Sequence, residues 1–97
     1  MKVNNIQIDG KKVKYITKGK GRDIIFIHGL GGSYKIWGKV VKKVSKKFKC
    51  WAVSLPEYRE FDIKKLSDLI TEFIQKMEIK KPLIVGHSLG GLISIDF

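Results

Sequence analysis

The stretch that decides the fold runs from Pro82 to Gly91 and reads PLIVGHSLGG. Its apolar start, Leu83 to Val85, predicts a short strand, and a helix-compatible stretch follows the glycines. A serine flanked by two glycines on a strand-to-helix turn is the pattern of a nucleophile elbow, in which the hydroxyl stands clear of the sheet. Gly86 and Gly90 would let strand and helix pass closely, where a Cβ would collide. We therefore expect Ser88 to be an exposed nucleophile.

The first part of the chain predicts a hairpin followed by a buried strand. Residues Val3 to Ile8 and Val13 to Ile16 alternate between apolar and polar, and Asp9-Gly10 separates them. An Asp-Gly pair between two alternating runs is a strong hairpin signal. Ile24 to Ile27 is continuously apolar, as expected for a central strand covered on both faces.

Two amphipathic helices and one further strand are predicted between this strand and the elbow. Ser33 and Asp62 are placed to cap the two helices, and Cys50 to Leu55 forms a strand that Pro56 ends. Apolar residues recur at helical spacing in both segments. The first stripe is Trp37, Val40, Val41, Val44 and Phe48; the second is Leu66, Leu69, Ile70, Phe73, Ile74 and Met77.

The predicted order is therefore β-β-β-α-β-α-β-α, with the last helix at residues 91–97. This order is typical of the α/β class, with a mostly parallel sheet and helices on both faces. No repeat, linker or low-complexity tract interrupts it, so we expect residues 1–97 to form one domain.

Composition points to a globular chain of the cytoplasm. Of the 97 residues, 43% are hydrophobic and 30% are charged. No apolar run is long enough to span a bilayer, and no apolar segment of a signal peptide follows Met1. The single cysteine, Cys50, excludes an intrachain disulfide and is expected in the core.

The net charge of +11 raises the question of nucleic-acid binding. Nearly all of the positive charge is lysine, with Arg22 and Arg59 the only arginines. Base readout and bidentate phosphate contacts favour arginine, and the lysines fall on the polar sides of the predicted helices. Nucleic-acid binding is therefore disfavoured as the primary function.

A second glycine-rich turn, from His28 to Ser33, follows a strand and opens a helix, which is also the setting of phosphate-binding loops. A dinucleotide fingerprint that starts at Gly29 would need glycine at Tyr34, and the Gly-Lys-[Ser/Thr] of a P-loop occurs nowhere. Gly19 and Gly21 precede a strand instead of following one. We expect neither a cofactor nor a metal.

Together, His-Gly-Leu-Gly-Gly-Ser at residues 28–33 and Gly-His-Ser-Leu-Gly-Gly at residues 86–91 resemble the N-terminal half of the α/β-hydrolase fold superfamily, in its serine esterase and lipase branches. The resemblance covers essentially the whole chain. It implies that Ser88 is the nucleophile and that the backbone N–H groups of Leu30 and Leu89 form the oxyanion hole. His28 would order the oxyanion loop, and His87 would occupy the variable position beside the nucleophile.

The nucleophile narrows the implied chemistry. Dehalogenase and epoxide-hydrolase branches resemble this fold but carry aspartate at the elbow, where this chain has Ser88. The resemblance thus implies acyl transfer on small esters, thioesters, lactones or amides through an acyl-enzyme. Residues 54–60 depart from the glycine-containing loop of many relatives, so the resemblance does not identify the substrate.

The resemblance also implies that part of the catalytic triad is missing. The triad follows in the order serine, acid, histidine, but after Ser88 the chain has only Asp96 and no histidine. We expect little activity from the chain alone, and an exposed sheet edge at Leu83 to Val85. The expected protein is a truncated hydrolase, or one piece of a split one.

Three interpretations remain open. The first is a serine hydrolase completed by a C-terminal polypeptide. The second is a non-catalytic protein that pairs with itself or a partner through its open edge. The third, less favoured, is a basic nucleic-acid-associated protein.

Overall fold

The computed structural model of the chain describes residues 2–29, 32–56, 62–87 and 90. Its elements follow the predicted order up to the elbow, and the helix predicted at residues 91–97 lies outside the described residues. The elements are β1 (Val3–Ile8), β2 (Lys11–Lys18), β3 (Asp23–Ile27), a 3₁₀ helix (Tyr34–Trp37), α1 (Gly38–Val44), β4 (Lys49–Val53), α2 (Ile63–Lys76) and β5 (Leu83–Gly86).

The opening hairpin forms as predicted. β1 pairs with β2 in antiparallel register, with Ile8 opposite Lys11 at the turn. Asp9 and Gly10 both have positive φ, 52° and 69°. A tight type I′ turn requires positive φ at both central residues, which is why Asp-Gly is favoured there.

The strands form one sheet in the order β1-β2-β4-β3-β5. β3 is parallel to both β4 and β5, and β2 is antiparallel to both of its neighbours. The sheet is therefore mixed, with a parallel part centred on β3 and an antiparallel part contributed by the hairpin. Among the described strands β5 lies at one edge, as predicted.

One face of the sheet is covered by α2. Asp62 caps this helix as predicted, its Oδ1 accepting from the backbone N–H groups of Lys64 and Lys65. The helix packs Phe73 edge-on against Tyr15 and Trp51. The buried residues of this core are Ile8, Val13, Ile25, Ile27, Trp51, Val53, Leu66, Leu69, Ile70, Phe73 and Ile79.

The other face carries a smaller core under α1, so the prediction of helices on both faces is confirmed. Alternate residues of the same central strands supply it. Cys50 is fully buried there, as expected. The buried residues are Ile16, Ile24, Phe26, Val41, Cys50 and Ala52.

The first helix differs from its prediction in one respect. Ser33 caps a 3₁₀ turn, its Oγ accepting from the N–H of Lys35, and the α-helix starts only at Gly38. Because a 3₁₀ turn has three residues and an α turn 3.6, the apolar positions of the two parts do not share one stripe. Val41 is fully buried, whereas Val40 is 38% exposed.

Among the described residues, no helix is both long and apolar enough to cross a bilayer.

Candidate active site

The candidate site lies where β3 and β5 end side by side. The two strands are parallel, with Ile27 opposite Gly86, so both of the glycine-containing turns leave the sheet at the carboxyl ends of these strands. The backbone N–H of His87 donates to the carbonyl of Ile27 at 3.1 Å, which extends the pairing by one residue. In parallel sheets ligands bind outside the carboxyl ends of the strands, at this edge.

Gly90 brings the second turn back against the end of β3. Its N–H donates to the carbonyl of His87 at 3.0 Å. A Cβ at residue 90 would collide with the carbonyl oxygen of Ile27 and lie 2.9 Å from that of His28. Real Cβ atoms do not approach backbone oxygens so closely, so only glycine fits. The close passage predicted at Gly90 is confirmed.

His28 is a buried anchor of the first turn. Its side chain is only 4% exposed, and its Nε2 lies 2.8 Å from the backbone N–H of Leu55. Since Nε2 accepts this hydrogen bond it carries no proton, which places the proton on Nδ1, 2.6 Å from the carbonyl of Gly29. Both ring nitrogens are thus occupied in ordering the turn, as predicted for His28, and neither is free to act as a base.

Ser54 forms a second anchor between the first turn and the end of β4. Its Oγ accepts from the backbone N–H of Tyr34 at 2.9 Å, and its own N–H donates to the carbonyl of Lys14 at 2.8 Å. A further bond, from Gly32 N–H to the Gly29 carbonyl at 3.0 Å, closes the turn on itself. The segment from His28 to Tyr34 is therefore held at both ends by residues that follow β4.

The roles of Ser54 and Leu55 in holding the first turn were not predicted from the sequence. The available signal was their position: both follow the strand beside β3, so they leave the sheet at the same edge as His28. No residue pattern indicated which backbone or side-chain atoms would bond.

Three predicted site residues, Leu30, Ser88 and Leu89, lie outside the described residues, as do Asp96 and residues 57–60 of the departing loop. Their roles remain predictions. His87, the described neighbour of Ser88, has an exposed side chain.

Within the described residues, no three His, Cys, Asp or Glu side chains lie close enough to hold a metal ion. A groove of about 270 Å³ exists between the β1–β2 turn and α2, lined by charged side chains including Asp9, Asp68 and Glu72. This groove lies beside the β1–β2 hairpin and is separate from the candidate site at the carboxyl ends of β3 and β5.

Residues 24–96 match the model of the Alpha/beta hydrolase family. The chain belongs to that family. The resemblance inferred from the two glycine-containing motifs is therefore confirmed.

Two of the relatives that the chain resembles are esterases by name. The pimeloyl-[acyl-carrier protein] methyl ester esterase of Wigglesworthia glossinidia brevipalpis is 37% identical over 80 residues, covering 76% of this chain and 29% of the relative. The corresponding esterase of Vibrio vulnificus is 30% identical over 81 residues, covering 80% of this chain and 31% of the relative.

Among solved structures, the Cif epoxide hydrolase of Acinetobacter nosocomialis superposes with a TM-score of 0.85 at 30% identity, covering 98% of this chain and 32% of that one. Esterases and an epoxide hydrolase thus share this part of the fold. The chain spans about a third of the length of each of these three proteins.

Proposed function

We propose that this chain carries the nucleophile half of a serine hydrolase that acts on acyl esters or thioesters. The observation that carries the proposal is the packing of Gly90 on the end of β3, which leaves no room for a Cβ beside the Ile27 carbonyl. This contact holds Gly90, two residues after Ser88 in the sequence, against the carbonyls of Ile27 and His28, where the first glycine-containing turn begins. Nucleophile and oxyanion donors must be close neighbours for acyl transfer.

In the proposed reaction, the Ser88 hydroxyl oxygen attacks the acyl carbonyl carbon and its proton passes to a base. The backbone N–H groups of Leu30 and Leu89 stabilise the resulting oxyanion. The tetrahedral intermediate collapses to an acyl-enzyme and expels the protonated alcohol or thiol. Water then attacks the acyl-enzyme by the same route and releases the carboxylic acid.

The base is not His28, because both of its ring nitrogens hold backbone groups in the buried turn. The other histidine, His87, also precedes Ser88, whereas the acid and histidine of this fold follow the nucleophile. We therefore propose that the acid and the histidine lie outside residues 1–97, and that these 97 residues alone hydrolyse esters poorly.

Two facts favour an ester over an epoxide as the substrate. Residue 88 is serine, and a serine hydroxyl with a general base is suited to acyl transfer. The curated relatives with 30–37% identity are esterases by name. The epoxide hydrolase matches at a similar identity, so identity alone does not separate the two chemistries.

The test measures hydrolysis of p-nitrophenyl acyl esters by this chain mixed with a polypeptide that supplies the remaining two-thirds of the hydrolase fold. Ser88→Ala should lower the rate of the mixture on the order of a thousandfold or more, since the covalent intermediate cannot form. Ser67→Ala is the matched control, because Ser67 lies on α2, where its hydroxyl is buried with no hydrogen-bond partner among the described residues.

An active mixture in which Ser88→Ala and Ser67→Ala have equal rates would exclude Ser88 as the nucleophile. A fluorophosphonate adduct on residue 88 of the active mixture, found by mass spectrometry, would locate the acyl site independently. Ser88-dependent hydrolysis by residues 1–97 alone would instead contradict the proposal that the acid and the histidine lie outside them.

The alternative of a non-catalytic pairing protein has one supporting observation. β5 is an edge strand among the described residues, and its Leu83 and Val85 side chains are 39% and 40% exposed. An uncovered apolar edge favours pairing with another chain. A homodimer that is inert towards esters even with the complementing polypeptide would favour this alternative.

A further inference from the structure

Positive charge is concentrated on the α1 side of the sheet. Between residues 34 and 48 there is no acidic residue, whereas residues 62–81 carry four acids and five lysines. The lysines of the first segment are all exposed. They are Lys35, Lys39, Lys42, Lys43, Lys46 and Lys47, and together with the exposed Ile36 and Val40 we name this surface the lysine face.

The turn between β2 and β3 adds two more cations at one end of the lysine face. Gly19 has φ +98°, and a Cβ there would collide with the carbonyl oxygens of Phe48 and Ser45. The N–H of Lys49 also donates to the carbonyl of Arg22 at 2.9 Å. The turn is therefore packed on the segment that follows α1, and it brings the exposed Lys20 and Arg22 to that end of the lysine face.

The acid nearest to this turn in sequence does not neutralise the cluster. Asp23 begins β3 on the same side as Ile25, and its Oδ1 accepts from Trp51 Nε1 at 2.9 Å. Trp51 belongs to the core under α2, so this carboxylate is directed to the opposite face of the sheet.

Two exposed apolar side chains lie among these lysines. Ile36 is 50% exposed and Val40 is 38% exposed, four residues apart, with Lys35, Lys39 and Lys43 around them. Ile36 lies in the 3₁₀ helix, and Val40 lies in α1 about 100° around the helix axis from the buried Val41. Exposed aliphatic groups surrounded by cations are the pattern of a surface that lies on a bilayer.

We propose that the lysine face docks on the surface of a bilayer that contains anionic lipid. The lysines would lie at the headgroup phosphates, and Ile36 and Val40 would enter the boundary with the acyl chains. Duplex nucleic acid would account for the charge but not for the two aliphatic side chains, and its recognition favours arginine. The proposal concerns binding only and does not depend on the hydrolase activity.

The test is co-sedimentation of the full chain with vesicles of phosphatidylcholine, with and without phosphatidylglycerol. We expect binding to the anionic vesicles and little to the neutral ones. Lys39→Gln with Lys43→Gln should weaken binding on the order of thirtyfold, from the combined contribution of two lysines near an anionic surface. The matched control is Lys80→Gln with Lys81→Gln, which has the same net charge but changes two exposed lysines between α2 and β5.

A third variant separates the apolar contribution from the charge. Ile36→Asn should leave the salt dependence of binding nearly unchanged while lowering the binding that persists at high salt. Near-ultraviolet circular dichroism would verify that each variant is folded, which we expect because all of the altered side chains are exposed.

Three results would overturn the proposal. Equal weakening by the two lysine pairs would mean that net charge alone matters. An unchanged Ile36→Asn would exclude entry of the apolar side chains into the bilayer. Tighter binding to duplex DNA than to anionic vesicles at the same salt concentration would assign the lysine face to nucleic acid instead.

Discussion

The two faces of the sheet receive side chains from the same strands but are covered by very different helices. On one face, α2 spans Ile63–Lys76, begins at an aspartate cap and buries five of its residues. On the other face, α1 spans only Gly38–Val44, follows a 3₁₀ turn and buries only Val41. Since β3 and β4 alternate between the two cores, the difference comes from the helices and not from the sheet.

This contrast shows how helix length and regularity decide what a sheet face becomes. A long, regular helix keeps one apolar stripe in register with the sheet, so its face closes into a continuous core. A short helix joined to a 3₁₀ turn cannot do so, and Ile36 and Val40 remain exposed beside lysines. The first face contributes stability, and the second is available for contacts.

The largest expected loss of stability comes from a substitution in the core under α2. Phe73→Ala should lower the free energy of unfolding by about 3–5 kcal/mol, because it leaves a cavity and removes the ring contacts with Tyr15 and Trp51. Val41→Ala, at an equally buried position on α1, removes a smaller side chain and should cost only about 1–3 kcal/mol. Urea denaturation of both variants measures the difference, and equal losses would contradict the contrast between the faces.

The second-largest difference in stability is expected between substitutions of the two tryptophans. Trp51 Nε1 donates to the Asp23 carboxylate at 2.9 Å, whereas Trp37 Nε1 is buried with no partner among the described residues. Trp51→Phe should therefore cost about 1–2 kcal/mol more than Trp37→Phe, in line with the loss of a hydrogen bond to a charged group. A double-mutant cycle with Asp23→Ala, which removes the accepting oxygen, should assign the excess to this pair; an additive cycle would show that it comes from packing.

The two helix caps should differ by a smaller amount in their contribution to the free energy of unfolding. Asp62 accepts two backbone N–H bonds, at 2.9 and 3.3 Å, and Ser33 accepts one at 3.2 Å. Asp62→Ala should destabilise the chain by about 1 kcal/mol and Ser33→Ala by about half of that. Asp62→Asn serves as the control, because it retains a capping oxygen. A greater loss from Ser33→Ala than from Asp62→Ala, measured by thermal unfolding, would be contrary to this order.

The smallest expected effect on stability comes from Cys50. Its reactivity tests whether the core under α1 excludes solvent. The thiol is fully buried, and burial raises its pKa above the ordinary value because the thiolate loses its hydration. Because the folded chain holds the thiol proton more tightly, this group makes its full contribution to the free energy of unfolding below about pH 8.5, the ordinary pKa of the unfolded thiol. That contribution is lost as the pH rises through the folded-state pKa.

Reaction of the native chain with a disulfide reagent at pH 8 should therefore be much slower than reaction of the chain in denaturant. Val41→Ala should accelerate the native reaction by opening the core, and the exposed Val40→Ala should not. Rapid labelling of the native chain would show that the α1 side is open to solvent.

Much of this fold was predictable because its signals are local. Asp9-Gly10 specifies a turn from two adjacent residues, Asp62 caps a helix from one position, and the stripe that contains Leu69 and Phe73 repeats within a single segment. The first helix was predicted less well. The apolar periodicity does not register the 3₁₀ start, nor does it show which of the adjacent Val40 and Val41 faces the sheet, so Val40 was assigned to the core although it is exposed.

The candidate site was likewise only partly predictable from the sequence. The two glycine-containing motifs indicated which turns form it, and the role of His28 followed from the family resemblance. Ser54 and Leu55 were missed because their bonds join residues about 20 or more positions apart. Such contacts exist only after β3 and β4 have paired.

The sequence by itself determined the family, the order of the described elements and the serine at position 88, because motifs, caps and apolar periodicity act over a few neighbouring residues. Only the tertiary structure decided which strands became neighbours, which atoms hold the His28 turn and which apolar side chains stay exposed among lysines. Those outcomes depend on packing between distant segments, where the steric fit of one residue, such as Gly90 against Ile27, sets the geometry.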